Sequence, residues 1–403
     1  MFIQSQTSTL ARMSRILIST ESLNPDRGYM EYYLARELAQ MGHDVSVICF
    51  GMKPWSSRRF LSDSFEVHEI PYFARIRGYH LPSPLGVIAV LRLLKKKPPH
   101  VVHCQPLFSP LSLLFTALAG SIGFRIVGSV FTGVFQVKTE VSRVLLSIAR
   151  LVMRFYSIKR TAFVFALNLG VAKVLNQLFG VPSNRIAVIP LAADSTLFAP
   201  NPSARRAVRT NLGFSEEDIV IVYTGRISRS KKIHLLIAAF AQVAKHNRHT
   251  ELLIVGSGDV SYETELRDMC RSMNLSDRVV FAGSVHRKNL PQYFAASDMA
   301  VWPGAPSVSI IEAAAMGLPV ILEHSQLTNH LITAGIGYSV EPNNVSDLTG
   351  RLEQLVIDDQ VRLEMGANAR KMVVARYEWS KVARKYQEVY LKASKQALVH
   401  TQD

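Results

Sequence analysis

The sequence contains few cysteines and no pair of them at metal-binding spacing. Its three cysteines, Cys49, Cys104 and Cys270, are scattered along 403 residues. A disulfide framework needs more cysteines, and a structural zinc site of the common kind needs pairs spaced as CxxC. We therefore expect a reducing compartment, with the cytoplasm as the default, and no metal site.

The sequence also lacks a recognisable secretory leader and a convincing membrane span. The N-terminal residues show no basic segment followed by an apolar run and a small-residue cleavage site. The longest uncharged run near the start, residues 107–124, approaches the length of a span, but a proline, several hydroxyl residues and two glycines interrupt it. We expect a buried loop and helix of an α/β domain there.

Acidic residues are scarce relative to basic ones. The chain has 46 lysines and arginines against 31 aspartates and glutamates, a formal net charge of +15. Such an excess attracts polyanions, whether nucleic acid, anionic lipid or phosphorylated substrates. No helix-turn-helix, RNA-recognition or zinc-finger pattern accompanies the charge, so nucleic acid is not an expected partner.

What the sequence does contain is a long alternation of strand-like and helix-like segments. With 48% hydrophobic residues the chain can bury a large core, and its length favours two or three domains. Short β-rich runs separated by helix-length segments predict doubly wound parallel sheets, that is, an α/β fold. The runs are RILIST, DVSVICF, VVHC, RIVGSV, FVFAL and RIAVIP, then DIVIVYTG, ELLIVGSG, RVVFAG, MAVWP and LPVIL.

A stretch with two prolines and small polar residues separates these runs into two series. We predict a first domain over residues 1–196, a linker over 197–204, a second domain over 205–379 and a closing helix over 380–403. Ligands of open α/β sheets bind beyond the carboxyl ends of the strands. The chemistry is therefore expected in a cleft between the two sheets.

The segment YTGRISRSKK carries the clearest chemical signal. It follows a predicted strand and precedes a predicted helix, and Gly225 allows a sharp turn there. Arg226 and Lys231 place two cations beside the start of a helix, where an anionic diphosphate is stabilised. The alternative is an ordinary solvated basic loop, since lysine and arginine are common at such positions.

Two further positions suggest a ligand more weakly. Gly256 and Gly258 close the next strand and would let a ligand approach the backbone, although GSG is not the dinucleotide fingerprint GxGxxG. Glu312 lies in the first turn of a helix and could accept two vicinal hydroxyls, as a carboxylate does for a ribose. Ser309 and Glu312 also have the spacing of a capping box, which is the alternative for that glutamate.

The combined pattern resembles the retaining GT-B glycosyltransferases of family 4. The resemblance implies two Rossmann-like domains facing a central cleft, with the closing helix crossing back onto the first. It further implies that Arg226 and Lys231 hold the diphosphate of a nucleotide sugar, that Glu312 holds its ribose, and that Gly28 belongs to a glycine turn near the substrates. The motifs that carry it are NPDRGYMEYYLARELAQMGHDVSVI, VIPLAADSTLFAP, GRISRSK, LLIVGSG, VVFAGSV, SDMAVWP, EAAAMGLPVI and YEWSKVARKYQEVY.

Three departures from the family pattern affect the predicted site. The family usually has a glutamate eight positions before Glu312, where this chain has Gly304, and often a histidine where this chain has Phe131. Lys232 replaces a glycine that commonly follows the lysine corresponding to Lys231. His103 is the nearest alternative catalytic histidine, although a lone histidine at a strand end is more often structural.

One predicted helix has an unusually narrow polar stripe, for which burial in the first domain is the first interpretation. The predicted helix 141–158 is apolar except for a few arginines and serines on one side. Such a helix is buried, lies at a membrane surface, or lines a phosphate-binding cleft. The basic clusters at residues 58–59 and 95–97 could add attraction to anionic lipid, or be solvated faces.

Together these observations predict a retaining, metal-independent glycosyltransferase without a cofactor. The donor is expected to be a UDP- or GDP-sugar, and the acceptor a saccharide or a lipid-linked saccharide. A cytoplasmic location follows, with peripheral attachment to the inner face of the membrane as an option. The alternative, based on Gly304 and Phe131, is a nucleotide-sugar-binding or scaffold protein of the same fold without turnover.

Overall fold

The chain folds into two compact units. The computed structural model describes residues 13–23, 30–76, 78–130 and 153–399. The first unit comprises the described residues up to Ile189 together with those from Ala383 onward. The second unit runs from Pro190 to Val382.

The strands of the first unit form an eight-stranded sheet and a separate hairpin. The sheet order is β10-β9-β8-β7-β1-β2-β4-β3, and β5 pairs with β6 in the hairpin. The bounds are β1 (Arg15–Thr20), β2 (Asp44–Phe50), β3 (Arg58–Ser62), β4 (Phe65–Ile70), β5 (Tyr72–Ile76), β6 (Tyr79–Pro82), β7 (Val101–Gln105), β8 (Arg125–Ser129), β9 (Thr161–Ala166) and β10 (Ile186–Val188).

The second unit contains a six-stranded parallel sheet. Its order is β13-β12-β11-β14-β15-β16. The bounds are β11 (Ile219–Thr224), β12 (Thr250–Val255), β13 (Val279–Gly283), β14 (Met299–Trp302), β15 (Val320–Glu323) and β16 (Gly337–Val340).

Helices flank both sheets. In chain order the described α-helices are α1 (Met30–Gln40), α2 (Pro84–Lys96), α3 (Pro110–Ile122), α4 (Leu169–Phe179), α5 (Pro202–Leu212), α6 (Ile233–His246), α7 (Val260–Ser272), α8 (Leu290–Ala295), α9 (Ser309–Ala315), α10 (Asn329–Ile332), α11 (Val345–Ile357), α12 (Asp359–Met372) and α13 (Trp379–Val399). None of them is long and apolar enough to cross a bilayer.

Most of the predicted parallel strands are buried on both faces, and β10 and β13 at the sheet edges are only partly buried. The strand β2, for example, buries every residue after its first, as expected for a parallel strand covered by helices. The prediction missed β3, β4, the β5–β6 hairpin and β16. The residues of β3 are largely exposed at the antiparallel edge of the sheet, so they lack the apolar run that identified the other strands.

The closing helix packs on the first unit, as the family resemblance implied. Tyr390 Oη lies 2.8 Å from His103 Nδ1, and Gln387 Nε2 lies 2.8 Å from His43 Nε2. Tyr386 and Tyr390 are almost completely buried. These contacts confirm the predicted crossing of the last helix.

The segment predicted as a linker, 197–204, is instead part of the second unit. Phe198 is fully buried in that unit's core, and α5 begins already at Pro202. Arg209 of the same helix is 1% exposed and its Nη2 lies 2.7 Å from Asp298 Oδ2. Pro202, one of the two prolines that suggested a linker, therefore marks a helix start, where proline is favoured.

Three predictions fall wholly or mainly on residues that the structure does not describe. Gly28 and Phe131 lie outside the described residues, as does most of the predicted helix 141–158. Its last part, Met153–Ile158, is a π-helical turn.

Candidate functional site

The predicted cations lie at the point where the strand order of the second sheet reverses. The strand β11 has β12 on one side and β14 on the other, so the chain leaves β11 in one direction and later returns on its other flank. Such a reversal opens a crevice at the carboxyl ends of the strands, where ligands of open α/β sheets bind. Gly225, Arg226 and Lys231 all follow β11 directly. We call residues 225–232 the basic turn.

The glycines around the basic turn are required by backbone packing. Ile227 N donates to Ser257 O at 3.1 Å, which brings the turn against the segment after β12. A Cβ on Gly256 would lie 1.9 Å from Gly225 O, and one on Gly258 would lie 2.1 Å from Ile227 O. The neighbouring protein backbone thus accounts for both glycines, and their contact with a donor stays a prediction.

Arg226 presents an exposed cation after β11. Its side chain is exposed, and within the described residues no hydrogen bond or ion pair reaches its guanidinium. The neighbouring basic residues differ, because Arg229 pairs with Glu265 and Lys232 pairs with Glu323. Gly225, with φ of +141°, provides the turn that carries Arg226 beyond the strand.

Lys231 is tied to the loop that follows β14. Its Nζ donates to Ala305 O at 2.9 Å and to Pro306 O at 2.8 Å, and burial lowers its pKa. An ammonium group has three donors, so these two bonds leave one. Lys231 can therefore hold the loop and still offer positive charge to an anion.

Gly304 is the residue at which the same loop lies on the basic turn. Ala305 N donates to Ser230 O at 3.0 Å. A Cβ on Gly304 would lie 2.6 Å from Ser230 O and 2.8 Å from the carbonyl carbon of Lys231. A glutamate, the usual family residue, does not fit here with this backbone. The local packing of the loop therefore requires glycine at this position.

Glu312 is buried and paired with an arginine that the sequence did not single out. The carboxylate is 1% exposed, and its Oε1 lies 2.6 Å from Arg287 Nη1. Burial raises the pKa of Glu312, and the charge of Arg287 opposes that rise. The capping-box alternative is not realised, because α9 begins without a side-chain cap. The contact of Glu312 with a ribose stays a prediction.

Arg287 could have been suspected only from its position after a strand. It follows β13 in the sequence HRK, which is the same kind of signal that identified the basic turn. Its guanidinium also lies over the ring of Phe198, 5.2 Å from the centroid. The pairing with Glu312 joins residues 25 positions apart in the chain, and nothing in the spacing indicates it.

His103 has a structural environment, which corrects its predicted catalytic role. It is fully buried in the first unit. Its Nε2 lies 2.8 Å from Ser129 Oγ and its Nδ1 lies 2.8 Å from Tyr390 Oη. Burial lowers the pKa of His103 to about 3. An imidazole enclosed in this way, with both nitrogens engaged, positions the closing helix and is not accessible to a substrate.

The buried His103 predicts a specific dependence of stability on pH. Below about pH 6.5 the unfolded chain takes up a proton at this histidine, whereas the folded chain stays neutral there down to about pH 3. The free energy of unfolding should therefore decrease as the pH is lowered through that window. The contribution of this residue is roughly 1.4 kcal/mol per pH unit. Urea unfolding of the wild type and of His103→Gln, which does not titrate, measures the difference. Parallel pH profiles for the two proteins would contradict the assignment.

In the part of the chain that the structure describes, no group of three or more histidine, cysteine, aspartate or glutamate side chains could hold a metal ion. The three cysteines are free and buried.

The chain matches two family models in succession. Residues 31–197 match the model of Glycosyltransferase Family 4, and residues 204–372 match the model of Glycosyl transferases group 1. These matches cover most of both units, and they include β11, the basic turn and Glu312.

Curated relatives and solved structures agree with the family models. The chain is 25% identical, over 93% of its length and 97% of the relative, to the GDP-mannose-dependent alpha-(1-6)-phosphatidylinositol monomannoside mannosyltransferase of Mycobacterium tuberculosis. A monoacylated-substrate counterpart from Corynebacterium glutamicum is 31% identical over 47% of this chain and 52% of its own. Sucrose-phosphate synthase from Thermosynechococcus elongatus has the same fold, with a TM-score of 0.75 and 21% identity over 94% of this chain and 98% of that one.

Proposed function

The chain belongs to glycosyltransferase family 4, and we propose that it transfers a hexose from a nucleotide-diphosphate sugar to a hydroxyl of a lipid-linked saccharide. As a member of that family it is a retaining glycosyltransferase of the GT-B fold that uses a nucleotide-sugar donor. The donor nucleotide, the acceptor and the membrane are the proposed parts. A GDP-sugar is the first choice, because mannosyltransferases that match the chain use GDP-mannose, and a UDP-sugar is the second.

The observation that carries the proposal is the basic turn at the strand reversal. Arg226 is exposed and has no partner among the residues that the structure describes, and Lys231 keeps one donor beyond its two bonds to the loop. As the bond between the anomeric carbon and the phosphate oxygen breaks, negative charge grows on the departing diphosphate. Cations fixed beforehand at that place lower the barrier, because they stabilise the transition state more than the ground state.

A lipid-linked acceptor is supported by the relatives and by the surplus of positive charge. The matching mannosyltransferases act on phosphatidylinositol mannosides. At the end of α2, Lys97 pairs with Asp44 at 2.6 Å, whereas Lys95 and Lys96 have no acidic partner among the described residues. Each such lysine contributes about 1 kcal/mol near an anionic surface. We place the enzyme at the cytoplasmic face of a membrane, peripherally attached.

The donor is tested by binding and turnover together. We expect GDP or UDP, held at 100 times its dissociation constant, to stabilise the full chain by about 2.7 kcal/mol in a thermal-shift screen that includes ADP. The matching nucleotide sugar should then transfer its hexose to phosphatidylinositol mannoside in anionic vesicles, with EDTA present. Lys288→Ala, which removes a basic residue outside the basic turn, serves as the control for variants within the basic turn.

Three results would change this proposal in different ways. Binding of nucleotide without transfer to any acceptor would favour the binding-protein alternative. Transfer only after a divalent cation is restored would overturn the predicted metal independence. Equal transfer to soluble and vesicle-bound acceptors, with no co-sedimentation at low salt, would remove the membrane from the proposal.

A further inference from the structure

The first unit has its own strand reversal, and a polar cluster lies at it. The strand β1 lies between β2 and β7, so the order reverses at β1 and β7. Thr20 and Gln105 are the last residues of these two strands and pair in register. Glu31 belongs to the first turn of α1. We call Thr20, Glu31 and Gln105 the β1–β7 cluster.

Hydrogen bonds join the three side chains at a single carboxylate oxygen. Glu31 Oε1 accepts from Thr20 Oγ1 at 3.2 Å and from Gln105 Nε2 at 2.8 Å. Thr20 is 5% exposed and Gln105 is 1% exposed, whereas Glu31 is partly exposed. The cluster is therefore enclosed by protein on the side of the strands and open at the glutamate.

One buried atom of the cluster has no hydrogen-bond partner among the described residues. This atom is Gln105 Oε1, whereas the amide nitrogen of the same side chain donates to Glu31. Buried polar atoms are nearly always paired, and an exception calls for an explanation. The bond from Nε2 fixes the orientation of the amide, so its oxygen is held ready to accept.

The chemistry of the cluster selects the kind of group that can complete it. An unpaired amide oxygen needs a donor, and a carboxylate oxygen beside it accepts as well. A neutral hydroxyl supplies such a donor. A phosphate oxygen supplies none, and its charge would lie close to the Glu31 carboxylate in a poorly solvated place, which is unfavourable.

We propose that the β1–β7 cluster binds a ring hydroxyl of the sugar acceptor, which must be uncharged at that position. This inference rests on the proposed function, which supplies a hydroxyl-bearing acceptor. It adds the place where that hydroxyl is bound and the requirement that the acceptor carry no charge there. Thr20 and Gln105 position the carboxylate of Glu31, and Gln105 Oε1 accepts directly from the hydroxyl. The cluster lies at the carboxyl ends of parallel strands, where a sheet of this kind binds its ligands.

The test uses two variants of the cluster and one matched control. Gln105→Leu removes the unpaired acceptor, and Thr20→Val removes a bond to Glu31. Thr161→Val makes the same change at another buried threonine of the sheet, whose Oγ1 donates to Ser157 O at 2.7 Å. Binding of methyl α-D-mannopyranoside and of myo-inositol to the full chain is measured by ligand-observed NMR in the presence of GDP or UDP.

We expect at least one neutral probe to bind the wild type and the Thr161→Val variant equally, and both cluster variants at least tenfold more weakly. Mannose 6-phosphate should bind the wild type no better than methyl α-D-mannopyranoside. In transfer assays the acceptor KM should rise tenfold or more in the cluster variants, while the donor KM and the nucleotide affinity stay unchanged. If the cluster had only a structural role, its variants would change thermal stability without raising the acceptor KM selectively over the donor KM.

The outcomes separate the inference from the proposed function. If the nucleotide sugar is consumed but the cluster variants keep the acceptor KM and probe affinity of the wild type, the inference is overturned alone. The same holds if neither neutral probe binds while the nucleotide does, or if the phosphorylated sugar binds better. If no nucleotide sugar is bound or consumed, the proposed function itself fails.

Discussion

Arg226→Ala should lower kcat/KM for sugar transfer by two to three orders of magnitude. This is the usual loss when one preorganised group that stabilises developing negative charge is removed, about 3–4 kcal/mol. Arg226 has no partner among the described residues, so its removal leaves no buried group unpaired. The melting temperature should stay close to that of the wild type, and steady-state kinetics with thermal unfolding checks both parts.

Lys231→Ala should reduce transfer at least as much, and it should also loosen the protein. Its ammonium bonds to Ala305 O and Pro306 O are lost together with the charge, so the loop after β14 loses its connection to the basic turn. We therefore expect a lower melting temperature for this variant and not for Arg226→Ala. The comparison separates the electrostatic role, common to both, from the positioning role of Lys231.

Arg229→Ala is the matched control for both variants. Arg229 is an exposed arginine of the same turn that pairs with Glu265, and surface pairs of this kind contribute little to stability. The activity of this variant should stay close to that of the wild type, because the guanidinium of Arg229 is already engaged by Glu265. If Arg226→Ala and Arg229→Ala reduced kcat/KM equally, a specific role of Arg226 on the diphosphate would be untenable.

Gly304→Ala should destabilise the second unit by about 3 kcal/mol, at the upper end of the usual cost of overpacking. The added Cβ would meet the backbone of the basic turn at 2.6 Å, and backbone cannot move aside as a flexible side chain can. Gly304→Glu, which restores the common family residue, should be at least as harmful. Loss of transfer should accompany the loss of stability, because the displaced segment contains Lys231. Urea unfolding and transfer assays measure the two effects.

Gly350→Ala is the control for this prediction. Gly350 lies within α11 of the same unit, and a Cβ there would meet nothing within 4 Å. Alanine is favoured over glycine in a helix interior by about 0.5–1 kcal/mol, so this variant should be slightly more stable than the wild type. A Gly304→Ala protein as stable as Gly350→Ala would show that the loop can move away, and the local-packing account of Gly304 would then be wrong.

The account of Gly304 also bears on the alternative of a protein without turnover. That alternative treated the missing glutamate as a sign of lost catalysis. The structure gives the position a packing role, in which the loop approaches the basic turn and Lys231 holds it by two carbonyl bonds. The second reason for that alternative was Phe131, which lies outside the described residues and supports neither view.

Much of the fold was predictable because it depends on local pattern. Buried parallel strands are continuous apolar runs, so β1, β2 and β11 could be identified within a residue or two from their composition alone. The exposed edge strand β3 has no such run, and it was missed. The boundary near residue 197 was misplaced, because a proline at the start of a helix has the same local appearance as a proline in a linker.

The sequence by itself determined the family, the two series of strands and the position of the cations after β11, because each is encoded within a few neighbouring residues. Only the tertiary structure decided which of those residues have partners. It placed Lys231 on carbonyls 74 and 75 positions away, paired Glu312 with Arg287, enclosed His103 beneath Tyr390 and left Arg226 exposed. The physical reason is that burial and pairing are properties of distance in space, and residues far apart in the chain reveal that distance only once the sheets have formed.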